Sequence, residues 1–182
     1  NADVYVTGSN SKFLSKDIIT EFRGRGDEVH VYPLSFKEFM EAYEGDQYKG
    51  WAEFVTYGGL PLTVTMKTEE QKIQYLKTLF DETYIKDIIE RNHIEKVQEL
   101  NDLINVLASI VGSLSNPSKI EATFKSVIQS DISLNTIRQY IEHLKDAFVI
   151  NEAQRYDVKG RKYIGTPVKY YFEDIGLRNA RL

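Results

Sequence analysis

Residues Val4–Phe36, VYVTGSNSKFLSKDIITEFRGRGDEVHVYPLSF, decide how the rest of the chain is read. A short apolar strand (Val4 to Thr7) leads into a polar turn (Gly8 to Asn10). An amphipathic helix follows from about Lys12 to Arg23, with Phe13, Leu14, Ile18, Ile19 and Phe22 on its packing face, then a glycine-punctuated turn and a second strand, Val29 to Tyr32. The pattern predicts one βαβ unit. Polar residues directly after the first strand place the turn where α/β sheets bind ligands, so it is the first candidate site.

Taken outward, the chain changes character. Ser35 and Glu38 have the S-x-x-E spacing of a capping box, which predicts a helix start there. Gly45 and Gly50 are expected to break that helix, with residues 51 to 57 helical again. Gly58-Gly59-Leu60-Pro61 then reads as a helix stop and tight turn rather than a phosphate nest, because no Lys-Ser or Lys-Thr pair follows. A long helix from Glu69 to Arg91 carries the core stripe Ile73, Leu76, Phe80, Tyr84 and Ile88. Its other face mixes Glu69, Glu70, Lys72, Lys77, Asp81, Glu82, Lys86, Asp87 and Glu90. Asp87 and Glu90 could be pictured as metal ligands, but such mixed charge is the ordinary solvated face of a helix. A second long helix, Glu95 to Ser113, continues the register through Val97, Leu100, Ile104, Leu107 and Val111.

From there the spacing predicts a helix-turn-helix. Ser118 and Glu121 suggest another capping box, opening a helix with Ile120, Phe124, Val127 and Ile128 inward. Ser130 to Ser133 make a turn, and a helix from Leu134 to about Ala147 buries Leu134, Ile137, Ile141, Leu144 and Phe148. A strand (Val149 to Tyr156), a hairpin centred on Gly160 and a return strand (Val168 to Phe172) complete a winged helix. The outward face of its second helix offers Asn135, Thr136, Arg138, Gln139 and His143, side chains able to meet base edges or phosphates. The hairpin adds Arg155, Lys159, Arg161, Lys162 and Lys169, cations suited to a phosphate backbone. Glu142 and Asp146 interrupt the helix face, so a protein-contacting module without DNA affinity stands beside the DNA-contacting one, with a stand-alone winged-helix DNA-binding regulator as the other alternative.

The 182 residues are 42% hydrophobic and 27% charged, which suits a globular chain with a buried core. The net charge of −4 hides an asymmetry: residues 1–150 carry 16 Lys and Arg against 23 Asp and Glu, and residues 151–182 carry 7 against 4. There is no Cys, which excludes disulfides, thiolate metal sites and Cys nucleophiles, and the three His (His30, His93, His143) have no metal-ligand spacing. The sequence has no apolar run of the roughly 18 residues needed to span a membrane. A cytoplasmic location, with no membrane partner, is the expectation.

Several segments carry a family resemblance. Thr7-Gly8-Ser9-Asn10, Leu14-Ser15, Arg23-Gly24-Arg25 and Pro33-Leu34-Ser35-Phe36 resemble the second half of the ATPase core in a prokaryotic AAA-type family (AAA_14) whose members carry a further DUF4143-type region. Tyr57-Gly58-Gly59-Leu60-Pro61, Tyr84-Ile85-Lys86-Asp87-Ile88 and Lys169 through Asn179 are similar to the same family in the same order. The resemblance implies that Thr7, Ser9 and Asn10 are sensor-like, orienting water near a γ phosphate, although Ser9, Asn10 or Ser11 could equally cap the helix. It implies that Arg23 or Arg25 serves as an arginine finger, although cations at a helix C-terminus also meet the helix dipole.

No GxxxxGK[ST] loop occurs, and the chain begins with Asn1-Ala2 rather than Met. The expectation is therefore a fragment truncated at both ends, without cofactor of its own and unable to hydrolyse ATP, from a protein that uses ATP and magnesium. The expected fold is α+β, mostly α: residues 1–34 the remnant of an AAA-type core, 35–94 a helical lid, 95–182 a winged helix. A sheet cut in this way leaves unpaired edges, which predicts self-association.

Overall fold

The computed structural model describes residues 5, 7–8, 29–156 and 167–182. Among them it is mostly helical, with one two-stranded antiparallel sheet. Of the expected first strand only Tyr5 and Thr7 are described, and neither is in a strand; the helix after it, the turn residues Ser9 and Asn10, and Arg23 and Arg25 lie outside the described residues. Val29 to Tyr32 does not form the expected strand. Val29, Val31 and Tyr32 are 79%, 86% and 65% exposed, and no described neighbour pairs with them. Alternating apolar residues make a strand only where a second strand satisfies the backbone.

Helix α1, Phe36–Ala42, starts at the predicted capping box: Glu38 N–H donates to Ser35 Oγ, and Ser35 N–H to Glu38 Oε2. Helix α2 runs Gln47–Tyr57 from an Asp46 cap, so Gly50 does not break it. Without a side chain at Gly50, the Met40 thioether and the Tyr43 ring pack against the helix there. Gly58, at φ +79°, ends α2 as expected. The short α3, Pro61–Thr65, follows.

The long predicted helix is present but not uniform. It consists of α4, Glu69–Thr78, a π-helical stretch Leu79–Ile85 and α5, Lys86–Asn92. The wider turns shift the buried face. Leu76, Phe80, Ile85 and Ile88 are in the core, Tyr84 is half-buried, and Ile73, expected inside, is 43% exposed. Lys72, expected on the solvated face, is 7% exposed, ion-paired with Glu53 of α2, its ammonium 5.0 Å from the Tyr57 ring centroid. A charge leaves water only when paired, and α2 supplies the pair.

Helix α6, Val97–Ser109, buries Leu100, Leu103, Ile104, Leu107 and Ala108, while Val97 is exposed. Helix α7, Pro117–Thr123, continues as a π-helical turn Phe124–Ile128. It is not capped by Ser118. Asn116 accepts from Lys119 N–H at 2.8 Å, and Pro117 occupies the first turn, where its fixed φ and missing N–H suit a helix start. Ile120 and Phe124 are buried, whereas Val127 is 74% exposed, again because the register widens. Helix α8, Leu134–Asp146, buries Ile137, Tyr140, Ile141 and Leu144.

Strands β1, Ile150–Ala153, and β2, Lys169–Phe172, pair antiparallel in the register Ile150–Phe172 to Ala153–Lys169, shorter than predicted. Just before β2, Val168 bridges to Ser115, which lies between α6 and α7. Helix α9, Ile175–Asn179, follows. A buried cluster, from Tyr57 through Leu107, Phe124 and Leu144 to Leu177, underlies α2, α4 to α9 and the sheet.

Candidate functional site

Helix α8 is positioned from both ends. Ser133 Oγ accepts from Thr136 N–H at 3.1 Å and satisfies one of the orphan donors of the first turn. At the far end the chain reverses through Phe148, at φ +55°, and Val149 N–H donates to Leu144 O at 2.9 Å before β1 begins. With the apolar stripe fixed inward, Asn135, Arg138 and Gln139 stand exposed on one face. Thr136 is half-buried and shares a 2.8 Å hydroxyl contact with Ser133. His143 is half-buried and engaged with other groups. The structure thus brings Asn135, Arg138 and Gln139 together and turns Thr136 and His143 partly away.

The charges on this helix differ in availability. Lys145 Nζ lies 2.9 Å from Glu142 Oε1 and 3.5 Å from Glu152 Oε2 of β1. Burial works against its charge, but hydrogen bonding and charge from Glu142 and Glu152 outweigh it and raise the Lys145 pKa. That cation is committed within the fold. Arg155 is exposed just past β1, and Lys169 is half-buried at the start of β2. Lys159, Arg161 and Lys162 lie outside the described residues, as do Ser9 and Asn10 of the turn site, where Thr7 and Gly8 are described and exposed.

A second arrangement was not legible in spacing. Asp174, 3% exposed, accepts from Gly59 N–H at 2.7 Å and from Leu177 N–H at 3.0 Å, capping α9 while holding the end of α2. Burial pushes its carboxyl pKa up, against the backbone N–H groups of Gly59, Leu177 and Gly176 that favour the anion. Three glycines make room: a Cβ on Gly58 would lie 2.2 Å from Asp174 Oδ1, on Gly59 2.2 Å from Leu34 O, and on Gly176 2.1 Å from Tyr57 O. Asn179 Nδ2 donates to Val55 O and Thr56 O, both at 2.9 Å. Every polar contact of Asp174 is internal, so the arrangement is a structural junction between residues 34, 57–59 and 174–179.

Among the described residues no three His, Cys, Asp or Glu side chains are grouped to hold a metal, and Asp87 is bonded to Arg91 at 2.7 and 2.8 Å. An apolar groove of about 520 Å³ opens between α6 and α7, lined by Val106, Ile110, Leu114, Ile120, Val127 and Ile128. No helix among the described residues is long and apolar enough to cross a membrane.

Residues 48–182 match the family model described as a domain of unknown function (DUF8612), and residues 1–40 match one described as an AAA domain. The chain belongs to the DUF8612 family. The sequence resemblance implies a DUF4143-type region over these residues; the model that matches them is the DUF8612 one. The chain is 39% identical over 183 residues to an uncharacterized protein of Haemophilus influenzae, covering 98% of this chain and 45% of that protein. It is 31% identical over 160 residues to uncharacterized protein MJ1544 of Methanocaldococcus jannaschii, covering 81% of this chain and 36% of that protein. The chain therefore spans less than half the length of either relative. No solved structure matches it.

Proposed function

We propose that this chain is the transmitting part of a cytoplasmic AAA-type ATPase: the end of the ATPase core at residues 1–34, a helical lid at 35–94 and a winged helix at 95–182 that contacts duplex DNA. The match of residues 1–40 to an AAA domain supports the first part. In the intact protein ATP and magnesium are held by residues outside this chain, with Thr7, Ser9 and Asn10 as sensors and Arg23 or Arg25 as the finger.

The observation that carries the DNA-contacting part is the order of elements around α8. A helix (α6), a strand residue (Ser115) bridged to Val168, two further helices (α7, α8) and two antiparallel strands come in the order a winged helix would need, which supports that reading. In that plan α8 is the recognition helix, and the residues between β1 and β2 are the wing. Arg155, Lys159, Arg161 and Lys162 outnumber Asp157 there, with Lys169 at the start of β2, whereas Arg138 and Lys145 on α8 are balanced by Glu142 and Asp146. The wing accordingly takes phosphates, while Asn135, Arg138 and Gln139 have the amide and guanidinium groups that read base edges.

The α6–α7 groove, with Leu114 57% and Val127 74% exposed, favours a second reading, a winged helix that docks a protein. Titrating a labelled duplex at increasing salt separates the two. Phosphate contacts release counterions, so the first reading predicts affinity falling steeply with salt, and a slope reduced by about 2.7 when Lys159, Arg161 and Lys162 are all changed to Ala. No binding at about 50 mM salt, or a slope untouched by the triple change, favours the second.

A further inference from the structure

One buried carboxylate is left incomplete by its own neighbourhood. The Glu173 side chain is 7% exposed, and its Oε2 accepts from Asn151 Nδ2. Its Oε1 is buried with no hydrogen-bond partner. A buried carboxylate oxygen without a donor is costly, so a donor brought to it is held there. The group that faces Oε1 is His30, whose Nε2 stands 3.3 Å away.

His30 is also fixed by two rings. It stacks on Tyr32 at 4.1 Å between centroids and meets Phe148 edge-on at 4.5 Å. Phe148 is the residue at which α8 reverses into β1, and it is one of three non-glycine residues with positive φ among those described. Backbone strain of that kind persists only when surrounding contacts hold it. Glu173 N–H donates to Val149 O at 3.0 Å, so the carboxylate and the reversal belong to one hydrogen-bonded unit. The same N-terminal segment is attached once more, by Leu34 N–H donating to Gly59 O at 2.8 Å. His30 and Tyr32 belong to the stretch matching an AAA domain, and Phe148 and Glu173 to the DUF8612 stretch.

We propose that His30 and Glu173 form a latch coupling the AAA-matched segment to the base of α8 and the hairpin. Engaged, His30 turns its Nε2–H onto Glu173 Oε1, from the 3.3 Å approach at which it makes no hydrogen bond, and braces the Phe148 ring, so the end of α8 is held. Withdrawn, it leaves that oxygen unsatisfied and the reversal unbraced. The latch rests on the reading of this chain as a transmitting part, for which it supplies the route.

Amide hydrogen exchange on the chain alone tests it, without nucleotide or DNA, so failure of duplex binding would leave the result unaffected. His30→Ala is expected to speed exchange roughly tenfold at the amides of Leu34, Phe148 and Val149, with Leu103 and Ile104 of α6 unchanged. His30→Gln, which keeps a donor, should restore part of the protection. Adding His30→Ala to Glu173→Gln should have less effect than His30→Ala alone. The latch is overturned by unchanged exchange at Phe148 and Val149, by additive effects in the double variant, or by acceleration extending to Leu103 and Ile104, which would be general destabilisation.

Discussion

Asp174 accepts a 2.7 Å hydrogen bond from the backbone N–H of Gly59, 115 residues earlier in the chain. The contact ties the last helix to the end of α2, and the glycines around it leave no room for a side chain. Asp174→Ala would strand the Gly59 and Leu177 donors in a buried place, at a cost of about 1–3 kcal/mol measurable by urea unfolding. Because burial raises its folded pKa, Asp174 binds its proton more tightly when folded. Its contribution is therefore fully present below the ordinary carboxylate range and is lost as pH rises through the raised value. Asp174→Asn should flatten the stability profile in that window, and a profile identical to the parent's would refute the assignment.

Tyr170 gives a second, alkaline, signature. It is 2% exposed, and burial first, then Glu152 and Glu142, push its hydroxyl up to about 12. The phenol is thus favoured in the fold, with stability fully present below its ordinary value near 10 and lost as pH rises toward 12. Tyr170→Phe should unfold at a higher pH than the parent while differing little from it at neutral pH.

The π-helical stretch predicts an inversion of the simple helical pattern. Ile85→Ala, in the core, should cost about 2–5 kcal/mol, and Ile73→Ala, on the surface, within about 0.5 kcal/mol. Equal costs would mean that the stripe runs through Ile73 after all.

The start of α7 can be assigned in the same way. Asn116→Ala should cost about 0.5–2 kcal/mol through loss of the cap, and Ser118→Ala almost nothing. The reverse order would restore the Ser118 capping box.

Local signals were the legible part of the fold. The box at Ser35 and Glu38, the stop at Gly58 and the stripe Ile137, Ile141 and Leu144 each depend on residues within a few positions, and each is present. What spacing could not reveal depends on distant neighbours. Lys72 looks solvated until Glu53 of another helix meets it, and Val29 to Tyr32 looks like a strand although no described neighbour pairs with it. Asp174 stands in a stretch recognisable by resemblance, but its work at Gly59 is done across the whole chain. Of the candidate interface, the exposed side chains of α8 followed from helical period, whereas the commitment of Lys145 to Glu152 required the hairpin.

An NMR titration with a short duplex at low salt is the direct test of the proposed contact of α8 and residues 154–168 with duplex DNA. The prediction is that backbone shifts move at Asn135, Arg138, Gln139 and Lys159 through Lys162, and recover as salt is raised. Shifts absent there, or confined to the α6–α7 groove around Val106, Leu114 and Val127, would contradict it.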